Sequence, residues 1–217
     1  MRVAVVDIGS AANIGWAIDA PEASGTTLNE LVRVVAHALG RGPVALGFEA
    51  PQFVPMRDDP LKLTHARFGE AGSGQRPRPF SAAAGSSALV TSLVVVPYVL
   101  NELRKDVPGG RITFDWTRPP SAPGELLLFE AFVSGQSDQG PDRHMNDARR
   151  AVFDFKGAMK SSSSRSSHSR FADPNIFNLL AAAVLRTGWS DDIKLLSAPC
   201  LVVRSADQTR SPQGRAE

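Results

Sequence analysis

Three acids sit at the ends of short apolar runs. Asp7 follows Val3 to Val6, Glu49 follows Val44 to Phe48, and Glu130 follows Leu126 to Phe129. Runs of this length and character read as strands. A carboxylate carried into a sheet loses its hydration, at a cost that only a cation or hydrogen-bond donors offset. Asp7 carries the strongest signal of the three. It is followed at once by Gly9, a small-residue turn and a second apolar segment, Ile14 to Ile18, which together read as strand, turn, strand.

The chain that must position these acids has 217 residues, 42% of them apolar, enough for one well-packed domain but marginal for two. The reading is a single domain over 1–204 and a polar tail over 205–217. A formal charge of +2 implies no strong global field, although a pI near 9.0 allows a local basic face. Cys200 is the sole cysteine, so no internal disulfide forms and a reducing cytoplasm is the expected compartment. Asp7 interrupts the first apolar run before it reaches the length of a signal peptide. The longest apolar stretch, Ala88 to Leu100, contains Pro97 and falls short of the roughly 20 residues that span a bilayer. No membrane role is expected.

Along the chain, Thr27 and Glu30 form a capping-box pattern ahead of a helix through Leu39. Residues 57–79 read as a long polar loop or lid, and 81–105 as a helix that Pro97 kinks or divides. Strands are expected at 111–116 and 126–133, a helix at 142–159, a serine-rich loop at 161–169 and a last edge strand at 201–204. Asp173 and Pro174 have the types of an N-cap and first helical residue, opening a helix through Leu185. This order of elements predicts an α/β fold, a mixed sheet covered by helices.

The run Asp7-Ile8-Gly9 with the downstream Gly15-Trp16-Ala17 resembles the first hairpin of the ribonuclease H-like superfamily. More narrowly it resembles RuvC-type resolvases and the uncharacterised predicted-nuclease families of that fold. Phe48-Glu49-Ala50-Pro51 is similar to their second acidic strand end, and Phe129-Glu130-Ala131-Phe132 to a further acidic strand. His144-x-x-Asp147-Ala148 is similar to the resolvase helix motif that completes the site.

This resemblance implies a ribonuclease H-like mixed sheet flanked by helices and hydrolysis of phosphodiesters in DNA or RNA. It implies Mg²⁺ or Mn²⁺ as cofactor, with Asp7, Glu49, Glu130 and Asp147 as metal ligands and Asp7, Glu49, Asp147 and His144 as the catalytic set. Two such ions held about 3.5 to 4 Å apart stabilise both the attacking and the leaving oxygen of a phosphodiester. Asp7 would bridge the ions, Glu49 and Asp147 would flank them, and His144 would orient a water or the phosphate.

The chain departs from the pattern at Asn178, which stands in an alanine-rich segment where an aspartate is expected. The last ligand is then Asp147, or Asp173, or is lost. Each candidate also has a plain structural reading: Asp7 accepting bonds from its own turn, Glu49 and Glu130 facing water from strands, and His144 and Asp147 on a solvated helix face among Arg143, Arg149 and Arg150. Two other functional classes stay open, an actin-like or sugar-kinase-like nucleotide-binding module and a non-catalytic interaction protein keeping the fold. The oligomeric state, a homodimer included, also stays open.

Overall fold

The structure is a computed structural model that describes residues 1–10, 13–20, 22–67, 80–81, 83–133, 140–160, 169–171 and 175–204. The polar tail at 205–217, most of the serine-rich loop and Asp173 lie outside these residues.

The sheet grows from the first apolar run. Strand β1 (Arg2–Ser10) pairs antiparallel with β2 (Asn13–Asp19), which pairs antiparallel with β3 (Glu22–Gly25). Helix α1 (Leu28–Leu39) then crosses over to β4 (Val44–Glu49), which lies parallel to β1 on its other side. The chain continues through a short strand β5 (Phe53–Pro55), helix α2 (Ala83–Asp106), β6 (Arg111–Thr113) and β7 (Glu125–Phe132). After helix α3 (Arg143–Lys160) come β8 (Ser169–Phe171), β9 (Ile176–Asn178), α4 (Leu179–Arg186) and β10 (Val202–Arg204).

The result is a mixed eight-stranded sheet in the order β3-β2-β1-β4-β7-β10-β8. The remaining strand, β6, shares the free edge of β7 with β10: β6 pairs near Leu126 and β10 near Ala131. The β5–β9 pair forms a separate two-stranded ladder. Alternation along the strands divides the core into two. Ala4, Val6, Leu46, Phe48, Leu126 and Leu128 pack with α1, α2 and α4, whereas Val3, Val5, Ala45, Leu127 and Phe129 pack beneath α3. The described residues therefore form three layers, with α3 the one helix among them on its face.

Several expectations change in detail. Thr27 is the N-cap of α1 but its side chain makes no capping bond, so the capping box is not formed. Helix α2 runs unbroken through Pro97. By length and composition alone, its Gly85–Asp106 segment is apolar enough to cross a bilayer, with about a third of that window buried. Val95, Val96, Val99, Leu100 and Leu103 are in the core, whereas Val90, Leu93 and Val94 are exposed. Strand β10 is interior, because β8 lies beyond it.

The helix expected from Asp173 starts later, at Leu179. The preceding residues 176–178 extend instead to pair with β5, and Asn178 becomes the cap. The 57–79 segment is tied down in its described part. Arg57 donates to the carbonyls of Lys62, His65 and Ala66, and Arg67 is buried.

A candidate carboxylate site at the sheet edge of helix α3

Asp7 lies opposite Gly15 on one side and Glu49 on the other. Cα partners in a ladder point their side chains the same way, and the parity of Asp7 with Val3 and Val5 puts both carboxylates on the α3 face. They emerge where β1 and β4 near their C-terminal ends, the customary place for a ligand in an open sheet with parallel strands.

Helix α3 brings the remaining groups. Its first turn lies directly on the β1–β2 hairpin because two glycines leave room for it. A Cβ at Gly15 would stand 2.2 Å from the backbone carbon of His144, and one at Gly9 would stand 2.5 Å from His144 Cε1. Both glycines lie inside strands rather than in the turn between them. The sequence reading gives Gly9 to the turn and Gly15 to the second strand; a glycine inside a strand also marks close approach by another backbone.

His144 Nδ1 lies 2.7 Å from Asp7 Oδ2. With Asp7 ionised, Nδ1 is the donor of this bond; Nε2 is then an acceptor in the neutral ring and a second donor in the imidazolium. Asp147, one helical turn on, is mostly buried, and Arg143 Nε lies 3.8 Å from its Oδ2.

The electrostatics of the cluster are those of crowded acids. Burial raises the Asp7 pKa from 3.8 to about 6, opposed by the His144 hydrogen bond and charge and reinforced by the negative charge of Asp147. Burial also pushes Glu49 up, and the charges of Asp7 and Asp147 push it further, while a hydrogen bond from the Val133 backbone N–H pulls it down. Glu49 as a residue is half-buried, yet its Oε2 is enclosed and has no hydrogen-bond partner among the described residues. Asp7, Glu49 and Asp147 therefore share one electrostatic neighbourhood, with an unanswered acceptor in its midst.

Glu130 is not part of this cluster. Its Cα partner is Phe48, one residue out of phase with Glu49, so its side chain leaves the opposite face of the sheet. There Arg67 Nη1 and Nη2 grip it at 2.8 and 2.6 Å, and the Gln52 backbone N–H donates to Oε2 at 2.8 Å. Arg67 also stacks over Phe53, its guanidinium carbon 4.3 Å from the ring centroid. Both carboxylate oxygens are thus engaged, and Glu130 is corrected from a metal ligand to the acid of a buried ion pair.

Asn178 also has its own employment. Its Oδ1 accepts from Ala181 N–H and its Nδ2 donates to the Ala198 carbonyl, so it serves as a helix cap held at both ends. Cys200 is buried, and burial drives its thiol pKa well up, which keeps it protonated and unreactive.

Among the described residues, no three His, Cys, Asp or Glu side chains converge as a ready-made metal cage. Mg²⁺ does not require one, since it keeps several waters and is commonly held by one or two carboxylates plus substrate phosphate. The donor set of Asp7, Glu49 and Asp147 is all oxygen, and the partnerless Glu49 Oε2 is the atom that a hard cation would satisfy. The residues present fit a sparsely ligated Mg²⁺ or Mn²⁺. Comparison of the chain with protein-family models, with characterised proteins and with solved structures gives no match.

Proposed function

We propose that the α3 face of the sheet is a divalent-metal site for hydrolysis of phosphodiester bonds in nucleic acid, carried on a ribonuclease H-like domain. One observation carries the reading: the charge of Asp147 raises the proton affinity of Asp7, and those of Asp7 and Asp147 raise that of Glu49, whose Oε2 has no partner among the described residues. Crowded, desolvated carboxylates of this kind are costly in an apo fold and favourable around a cation.

A bound Mg²⁺ or Mn²⁺ supplies the positive charge that lowers the pKa of water and answers charge on the phosphate. Asp7 and Glu49 would hold it from adjacent strands, with Asp147 contributing from the helix. Asp7 also fixes the His144 ring through Nδ1, so that Nε2 is presented to a water or to substrate. Arg143, exposed beside Asp147, is placed to meet a phosphate oxygen. DNA or RNA is the partner this chemistry calls for, and a reducing cytoplasm suits the single buried thiol.

The test is cleavage of branched DNA, single-stranded DNA and RNA by wild type and Asp7→Asn, with Mg²⁺ or Mn²⁺. Metal-dependent cleavage of any one substrate by wild type, lost in the variant, supports the reading. Absence of cleavage together with unaltered nucleic-acid binding in the variant favours the interaction-protein alternative.

A further inference from the structure

On the opposite face of the sheet, helices α2 and α4 leave a crevice of about 210 Å³. Its walls include Leu93, Val96 and Pro97 from α2 and Leu179 and Ala182 from α4. Most of the lining residues are apolar, and the polar ones are Gln52, Ser92 and Arg186. Gln52 is 1% exposed, and its enclosed side-chain Nε2 has no hydrogen-bond partner among the described residues.

A buried amide donor left unanswered is unfavourable, so its presence calls for an acceptor. Gln52 is also held rigidly. Its backbone N–H is bound by Glu130, and its carbonyl accepts from Leu179 N–H at 2.9 Å. The backbone that carries the amide is thereby fixed on both sides, which limits the reorganisation a ligand would have to meet.

We propose that this crevice binds a small apolar carboxylic acid, its acceptor oxygen meeting Gln52 Nε2, its hydrocarbon body lying between α2 and α4, and its charge drawn by Arg186. The size is right for such a molecule: a cavity of about 150 Å³ admits benzene. The donor and the cation favour an acid over an alcohol or an amine. Nothing in the proposal depends on the carboxylate cluster, which lies on the other side of the sheet, and its test uses no metal.

The experiment is titration of hexanoate into the metal-free protein, following side-chain amide and methyl NMR signals. Hexanol and hexylamine serve as controls. Saturable shifts of the Gln52 amide and of the Leu93, Val96 and Leu179 methyls by hexanoate are expected, with affinity about tenfold weaker in Gln52→Leu. Ala182→Phe, which fills the crevice from a half-buried position, should abolish them. Shifts that do not saturate, binding retained in Ala182→Phe, or hexanol binding as well as hexanoate would each overturn the proposal. The hexanol comparison on wild type decides the matter even if a variant fails to fold.

Discussion

Asp7 and Glu49 are Cα partners in the parallel ladder between β1 and β4, and that one register places both acids beneath helix α3. A slip of one residue would send Glu49 to the opposite face, where Glu130 lies. The site thus depends on pairing of the sheet as much as on the identity of its acids.

Crowding of those acids has a consequence for pH. Because the Asp7 pKa is raised from 3.8 to about 6, the folded state binds its proton more tightly than the unfolded chain does. The contribution of Asp7 is therefore favourable at low pH and is lost as pH rises from about 4 through 6. In EDTA, Asp7→Asn should be more stable than wild type at pH 7 by about 1 to 3 kcal/mol, with the difference shrinking toward pH 4. Urea denaturation at several pH values measures this. A variant less stable than wild type at pH 7 would contradict it.

The seat of α3 on the hairpin makes Gly15 critical. Gly15→Ala should destabilise by about 1 to 3 kcal/mol, because its Cβ meets helix backbone rather than a flexible side chain. Gly42→Ala, where a Cβ meets nothing within 4 Å, is the control and should stay within about 0.5 kcal/mol. Chemical denaturation of the pair, with the His144 imidazole signal as a local probe, separates a shifted helix from general loss. Equal effects at the two glycines would refute the packing account.

The Arg67–Glu130 pair is fully buried, so removing one partner leaves an uncompensated charge. Glu130→Gln and Arg67→Met should each cost about 3 to 5 kcal/mol. The double variant Arg67→Met with Glu130→Gln should lose less than the sum, since neither charge is then stranded. A double-mutant cycle by denaturation reads the coupling, and strict additivity would show that the two act separately.

Asn178 tests the suggestion that an acid is missing from the site. Asn178→Asp keeps the cap oxygen but replaces the donor to Ala198 with a second acceptor, so it should destabilise by about 1 to 2 kcal/mol. Mn²⁺ affinity should not rise. An affinity gain in Asn178→Asp would mean that the residue belongs to the metal site after all.

The layered α/β plan and the site-bearing elements were legible in the sequence because apolar runs and helical spacing are local signals. Val3–Asp7, Leu28–Leu39 and 142–159 carried them clearly. The misassignment of Glu130 arose from register. An acid closing an apolar run looks the same on either face, and only pairing with Phe48 rather than Glu49 decides which it takes. Arg67 was hidden for a related reason, since a buried arginine is recognisable only beside its carboxylate, 63 positions away. The start of α4 was misread because Asp173-Pro174 has the types of a helix opening, while pairing of β9 with β5 holds 176–178 extended. Asn178, read as a lost acid, caps the helix that follows.

Calorimetric titration of Mn²⁺ into wild type, Asp7→Asn and Glu49→Gln tests the central claim most directly. The account predicts saturable binding to wild type that weakens at least about tenfold in each variant. It also predicts thermal stabilisation by Mn²⁺ in wild type alone. Equal, weak binding to all three proteins would contradict it, and the carboxylates of β1 and β4 would then be a structural cluster without a cation.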